Sequence, residues 1–173
     1  MKPHVSEYPA YYHRYIESVG EDDVRPVFTN QVEYFTRLMS TMTDEDALFR
    51  YAEGKWSVKQ VIGHLIDCER VFAYRAMCIA RGETQALPGF DENAYVANAS
   101  FDQRPIAHIL DEFVAVRLGT ILLYDSLSSV EQLLSGVANN NPVTVRSLMW
   151  IIAGHTQHHL RILAEKYGVT SDK

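Results

Sequence analysis

Apolar residues recur every three or four positions between Ser57 and Arg81, and this periodicity constrains the fold more than any other feature. Ser57 and Gln60 form the pattern of a capping box, in which the serine caps the first turn and the glutamine bonds back to the serine backbone. Gly82 follows and predicts the end of the helix. The segment is therefore predicted to be a long amphipathic helix, which has to bury one face against other helices.

Three further long segments share this period, while strand-like alternation is scarce. They cover, in chain order, residues 24–42, 104–127 and 144–167. A shorter, tyrosine-rich helix is predicted over residues 8–18. We therefore expect a single all-α domain spanning residues 1–173: a four-helix bundle with a short extra N-terminal helix and a long loop after the second long helix.

Two long connections separate the predicted helices. The first, residues 82–101, holds the turn signal Pro88-Gly89, and the second covers residues 128–143. Connections of this length in compact domains are often functional. Asp91, Glu92 and Tyr95 in the first connection are candidates for a general base or for substrate contacts. Ordinary polarity at a loop tip explains them as well, and the sequence does not decide between the two.

The charge and hydropathy patterns restrict the partners that we expect. The chain has 16 Lys and Arg residues against 22 Asp and Glu residues, a formal net charge of -6. Binding to nucleic-acid phosphates needs a basic face, so we expect no nucleic-acid partner. We also expect no membrane partner, because no apolar run approaches the ~18 residues that span a bilayer.

Both cysteines, Cys68 and Cys78, fall in the second long helix. The helical rise separates their Cα atoms by ~15 Å, which is too far for a disulfide. We expect reduced thiols buried in the core, and no signal-peptide pattern precedes them. These observations favour a cytoplasmic protein.

Three histidines lie close together near the C-terminus, in the run His155-Thr156-Gln157-His158-His159. On a helix, His155 and His159 are one turn apart on the same face, so both imidazoles can bind one metal ion. A third ligand from a facing helix completes the three-point site of catalytic zinc, which leaves a position open for water or substrate. His64, in the second long helix, is the candidate for that ligand.

A polar helix face explains a single histidine better than a metal site does. The pair His155 and His159 lies on a strongly apolar helix, however, and burying two imidazoles without partners costs several kcal/mol. Metal coordination removes that cost, so we favour the metal interpretation. Imidazole ligands suit Zn²⁺, Ni²⁺ or Fe²⁺ better than Mg²⁺ or Ca²⁺.

Two familiar metal motifs do not fit the chain. The zincin motif needs a glutamate directly after the first histidine, where this chain has Thr156. Di-iron carboxylate bundles need Glu-x-x-His pairs, but Val61 stands three residues before His64, and Thr156 stands three residues before His159.

Asp67 and His158 are further catalytic candidates, beside Asp91. Asp67 follows His64 by one turn and could orient a ligand or a water, although a salt bridge with a neighbouring arginine explains it equally well. His158 lies about 100° around the helix from His159. It is a candidate proton shuttle, and an exposed surface histidine is at least as good an interpretation.

Three segments of the chain together resemble one known family. They are residues 54–70 (GKWSVKQVIGHLIDCER), 87–93 (LPGFDEN) and 154–160 (GHTQHHL). In this order and spacing they are similar to the DinB-like (YfiT-type) superfamily, and the resemblance covers nearly the whole chain. The resemblance implies a DinB-type bundle, often dimeric, with a divalent metal held by His64, His155 and His159.

The resemblance also implies a range of activities on small molecules. The superfamily includes S-transferases that use a low-molecular-weight thiol, and proteins regarded as metal-dependent hydrolases. Our leading hypothesis is thiol-dependent S-transfer to a small electrophile, in which the metal lowers the pKa of the bound thiol. The alternatives are metal-dependent hydrolysis, or a non-enzymatic metal-binding or stress-response protein. A homodimer is the expected assembly.

Overall fold

The computed structural model describes residues 1–20 and 22–170, with Met39 described by its backbone alone. The helices are α1 (His13–Ser18), α2 (Val24–Met39), α3 (Asp44–Ala47), α4 (Val58–Ala80), α5 (Glu92–Asn98), α6 (Ile106–Asp125), α7 (Ser129–Gln132) and α8 (Val145–Tyr167). The strands are β1 (Ser135–Ala138) and β2 (Asn141–Thr144). Three short 3₁₀ turns cover Val5–Glu7, Ala10–Tyr12 and Phe101–Gln103.

The four long helices of the predicted bundle are α2, α4, α6 and α8. α4 begins at the predicted capping box, because Ser57 Oγ accepts the Gln60 backbone N–H at 3.0 Å and Gln60 Oε1 accepts the Ser57 N–H at 3.0 Å. α8 follows Thr144 and ends at Gly168, whose φ of 68° lies in the left-handed region. Within the described ranges, none of the helices is long and apolar enough to cross a membrane.

The predicted helix over residues 8–18 is only partly correct. Tyr8 precedes Pro9 and is held in an extended conformation, with φ of -153° and ψ of 154°. The chain then makes the 3₁₀ turn at Ala10–Tyr12 and becomes α-helical only in α1. The proline therefore delays the start of the helix.

Both predicted loops contain regular structure that the sequence analysis missed. α5 lies within residues 82–101 and a 3₁₀ turn begins at Phe101, so that connection is not a plain loop. In the second connection, α7 precedes an antiparallel hairpin of β1 and β2, whose last residue is Thr144, the predicted N-cap of α8. Asn139 and Asn140 make its two-residue turn with φ of 50° and 60°, values that asparagine tolerates better than most residues. The all-α class holds for the bundle, and the hairpin is its one small addition among the described residues.

α4 lies at the centre of the packing, against both α6 and α8, while α2 packs against the same two helices. α1 crosses α8 at close range, and Gly154 makes this approach possible. A Cβ atom at Gly154 would overlap the backbone of Tyr15, so a larger residue there would push the two helices apart. The N-terminal segment is thereby held over the middle of α8.

One buried polar group touches all four long helices. Arg117 on α6 is fully buried and donates to both carboxylate oxygens of Glu69 on α4, at 2.7 and 2.8 Å. It also donates to Gln31 on α2 and, at 2.9 Å, to Thr156 on α8. Gln31 donates in turn to the carbonyl oxygen of Ala153 at 2.9 Å. We call Arg117, Glu69, Gln31 and Thr156 the arginine cluster; it fixes the helices at one depth in the bundle.

Candidate metal centre

α4 and α8 bring His64, His155 and His159 together, and we call these three residues the histidine cluster. One nitrogen from each ring lies within 4.8 Å of the others. The Nε2 atoms of His64 and His155 are 3.1 Å apart, and the ring centroids of His155 and His159 are 4.6 Å apart. The juxtaposition expected from the spacing of the histidines is therefore present, with His64 opposite the pair on α8.

Two histidines of the cluster are buried, His159 is partly buried, and the cluster is incompletely satisfied. His64 is 6% exposed and His155 is 8% exposed. His159 has a buried Nδ1 atom without a hydrogen-bond partner among the described residues. Buried polar atoms almost always have a partner in folded proteins, so an unpaired imidazole nitrogen beside two other imidazoles indicates a missing ligand.

Burial also keeps these imidazoles neutral. Desolvation lowers the pKa of His64 to about 4 and, with the charge of its histidine neighbours, lowers that of His159 to about 3. The pKa of His155 lies well below its usual value, chiefly because the ring is fully enclosed. A neutral imidazole is the form that binds metal, so the site is ready for a cation at neutral pH without releasing protons.

Aromatic side chains hold two of the rings in place. Trp56, just before α4, lies against His64 with a centroid distance of 4.8 Å. Tyr15, which Gly154 admits against α8, meets His155 edge-on at 5.4 Å. The capping box at the start of α4 and the close crossing of α1 and α8 therefore both contribute to the geometry of the site.

The histidine cluster lines a cavity of about 730 Å³ that is closed on its sides by segments distant in the sequence. The walls come from the N-terminal segment, α4, the connection that contains α5, the hairpin turn and α8. The other lining residues are Tyr11, Tyr12, Arg14, Tyr15, Trp56, Cys68, Phe72, Arg75, Phe90, Glu92, Asn139 and His158. The cavity is large enough for a small organic molecule.

Of the catalytic candidates Asp67, Asp91 and His158, only His158 lies at this cavity. Glu92, the other candidate base of the first connection, lies there too. The ring of His158 is 5.2 Å from that of His159 and 5.4 Å from that of Tyr15, and desolvation lowers its pKa. Asp67 is half-buried outside the cavity, 3.8 Å from Arg70, which matches the salt-bridge alternative. Asp91 caps α5, because its side chain accepts the backbone N–H groups of the next turn.

Two cavity residues, Cys68 and Arg75, were not assigned to a site by the sequence analysis. Cys68, expected to be an inert core thiol, is buried 3.5 Å from His64 Nδ1, and its position one turn after His64 was the available signal. Burial raises its pKa, so it is a protonated thiol and not a thiolate. Glu92 supplies a carboxylate, and Arg75 supplies a buried cation. Arg75 follows His64 by eleven residues, about three helical turns, so the shared face of α4 was the available signal.

Comparison with known proteins agrees with this fold. Residues 28–163, which include all three histidines, match the family model described as the DinB superfamily. A protein of Oceanobacillus iheyensis that bears the name "putative metal-dependent hydrolase" is 24% identical over 155 residues, with 83% of this chain and 85% of that protein covered. The structure of YfiT from Bacillus subtilis, described as "a probable metal-dependent hydrolase with an unusual four-helix bundle topology", is similar with a TM-score of 0.71, at 19% identity and with 98% of this chain and 95% of that chain covered.

Proposed function

The chain belongs to the DinB superfamily, and we propose that it is a metal-dependent hydrolase of small molecules whose divalent ion is held by His64, His155 and His159. The observation that carries the proposal is the unpaired, buried Nδ1 of His159 beside two further neutral imidazoles at a cavity. The names of the two relatives support hydrolysis as the reaction class.

The donor set fits a divalent transition metal. Two nitrogens bound to one zinc ion at tetrahedral angles lie about 3.4 Å apart. The Nε2 atoms of His64 and His155, at 3.1 Å, are already close to that separation. Three neutral imidazoles favour Zn²⁺, Ni²⁺ or Fe²⁺ over Mg²⁺ and Ca²⁺, so the proposed ion is one of these three.

The bound ion would supply Lewis acidity and a lowered pKa for water. The residues around it supply the proton transfers. Glu92 is the carboxylate among the described residues of the cavity, and His158 is its imidazole outside the histidine cluster, with Nδ1 3.4 Å from Nη2 of Arg161. These two side chains are the proton acceptors that the proposal assigns. Trp56 and Phe72 line the same cavity with apolar surface and restrict the access of bulk water.

Hydrolysis is preferred to S-transfer because neither relative is named for thiol chemistry. The cavity thiol, Cys68, has a raised pKa and belongs to the chain, so it does not replace a thiol cosubstrate. The S-transferase hypothesis stays a prediction without support from the relatives. A purely structural metal site is disfavoured by the cavity, because structural zinc sites are closed by four protein ligands.

The first test is the metal content of untagged protein by inductively coupled plasma mass spectrometry. We expect close to one equivalent of Zn, Ni or Fe in the wild type and in His108→Ala, an exposed control on α6. We expect His64→Ala and His159→Ala to lose it. Metal-free wild type after reconstitution would refute the metal proposal.

The second test separates the two reaction classes. Ester, amide and phosphoester substrates are screened with the metal-loaded protein, with and without added low-molecular-weight thiols. Turnover without thiol supports hydrolysis, whereas turnover that requires a thiol supports S-transfer and overturns our assignment.

A further inference from the structure

Three cationic side chains are buried in the described part of the chain, and one of them has no carboxylate partner. Lys59 lies 2.6 Å from Asp44, and Arg117 is bonded to Glu69. Arg75, only 4% exposed, forms no salt bridge with any described residue. A buried charge without a counter-charge is costly, so its retention at a cavity calls for an explanation.

The surroundings of Arg75 hold the guanidinium in place and leave part of it free. Its Nη2 donates to the carbonyl oxygen of Pro88 at 2.6 Å. Its Cζ atom lies over the ring of Phe72 at 5.5 Å and over the ring of Phe90 at 5.7 Å, so the cation interacts with two aromatic rings. No other described residue accepts a hydrogen bond from its remaining N–H groups, and the side chain lines the cavity.

We propose that Arg75 is the recognition site for an anionic group, a carboxylate or a phosphate, on a small organic substrate with an aromatic or apolar body. This inference deepens the proposed function and rests on it, because it names the substrate class of the same cavity. An arginine fork matches the oxygens of either anion, and the tyrosine and phenylalanine rings of the cavity match an apolar body.

The charges around the cavity support this assignment. The cations at its lining are Arg75 and Arg14, and the opposing anion is Glu92, while the cavity histidines are neutral near pH 7. Burial lowers the pKa of Arg75 without bringing it near neutral pH, since arginine stays charged in proteins. The charged side chains that line the cavity therefore sum to a net positive charge, with Arg14 near the histidines and Arg75 further along α4.

The position of Arg75 on α4 predicts the orientation of the substrate in the cavity. The helical rise places its Cα roughly 16 Å along α4 from that of His64. The anionic end of the substrate thus binds away from the histidine cluster, and the reactive end points towards it. Arg75 positions the substrate and does not take part in the chemical step.

The test compares three probes of similar shape by isothermal titration: benzoate, phenyl phosphate and the uncharged benzamide. The proteins are wild type, Arg75→Met, Arg75→Lys and the control Arg81→Met, which removes an exposed arginine at the end of the same helix. Each is measured metal-free and metal-loaded, because a bound ion could itself attract an anion. Circular dichroism verifies the fold.

We expect benzoate or phenyl phosphate to bind the wild type and Arg81→Met about 10- to 100-fold more tightly than benzamide, the range of a charge-assisted hydrogen bond. Arg75→Met should remove this preference in both metal states, and Arg75→Lys should keep part of it. The tighter of the two anions identifies the substrate group as carboxylate or phosphate.

Equal binding of benzamide and both anions by the wild type would overturn the proposal, and so would an unchanged preference in Arg75→Met. If Arg75→Met does not fold, the comparison of benzamide with the two anions on the wild type still tests whether the cavity prefers an anion. Metal content is measured on the same samples, so the two proposals fail separately. If the protein binds the anions but takes up no metal even after reconstitution, only the hydrolase proposal is refuted. If it takes up metal but shows no preference for the anions, only the role of Arg75 is refuted.

Discussion

The arginine cluster and the histidine cluster lie in the same bundle, and each joins α4 to α8. In the arginine cluster, Arg117 donates to Glu69, Gln31 and Thr156, so the buried charge is paired and its donors are used. In the histidine cluster the rings contact one another, and a buried nitrogen of His159 has no partner in the described structure. The first cluster is complete within the chain, whereas the second needs something from outside.

This difference separates a structural role from a binding role. A satisfied polar network orients helices and tolerates no loss of a member, because each deletion leaves a buried group unpaired. An unsatisfied one weakens the folded state until a ligand binds, and the binding energy of that ligand then stabilises the fold. The predictions below test this distinction by perturbing one cluster at a time.

The largest effect is expected for Arg117→Met. The substitution leaves the carboxylate of Glu69 buried without its cation, which should lower the free energy of unfolding by about 3–5 kcal/mol. Urea denaturation measures this. The control Arg37→Met removes an exposed arginine 3.9 Å from Glu33 and should change stability by less than about 0.5 kcal/mol.

A matched double variant sharpens the same prediction. Adding Glu69→Leu to Arg117→Met removes the stranded charge and should recover much of the lost stability. If the double variant is as unstable as the single one, the arginine cluster owes its stability to packing and not to paired charge.

A smaller effect is expected from filling the histidine cluster. Zn²⁺ at about 100 times its dissociation constant should raise the unfolding free energy of metal-free protein by about 2.7 kcal/mol. Thermal denaturation should show the increase in wild type and Arg117→Met but not in His155→Ala. A full increase in His155→Ala would place the metal elsewhere.

Two glycine substitutions test the wall of the histidine cluster. Gly154→Ala brings a methyl group into the backbone of Tyr15 and should cost about 1–3 kcal/mol while loosening the contact with His155. Gly119→Ala, on α6 with open space around it, should stabilise by about 0.5–1 kcal/mol because alanine favours a helix. Opposite signs in thermal denaturation would support the close approach, and equal signs would contradict it.

The smallest effect per residue is expected from pH. The folded pKa of His64, about 4, lies below its ordinary value of 6.5, so the unfolded chain takes up the proton first as pH falls. Stability is therefore complete above pH 6.5 and is lost towards pH 4, by roughly 0.7 kcal/mol per histidine between pH 7 and 6. In metal-free protein, His64→Gln should flatten the measured slope relative to His108→Gln. Identical slopes would show that His64 does not contribute.

The sequence predicted the helices and the histidine cluster because both depend on local spacing. Ser57 and Gln60 form a cap within one turn, and His155 and His159 share a face by helical geometry alone. The hairpin was missed because its turn, Asn139-Asn140, lies between two strands of only four residues, too short for a clear alternating pattern.

The catalytic candidates were harder to predict, because a side chain reaches the cavity only if its face of the helix packs towards the cavity. Asp67 lies one turn after His64, as Cys68 does, yet Asp67 interacts with Arg70 while Cys68 reaches the cavity. The exposure of Glu92 at the cavity follows from how α5 docks on α4, which no pattern within α5 specifies. The periodicity of a sequence shows which residues share a helix face, but it does not show which other element that face packs against.

The cavity takes its histidines and much of its wall from different parts of the chain, and this affects how such a protein can evolve. The histidines stand on α4 and α8, whereas much of the surrounding wall comes from the N-terminal segment, the connection that carries α5 and the hairpin turn. Insertions or replacements in those three segments can reshape what enters the cavity without moving a histidine. The four long helices can therefore stay constant and keep the histidines in position, while changes in the three wall segments alter which molecules fit the cavity.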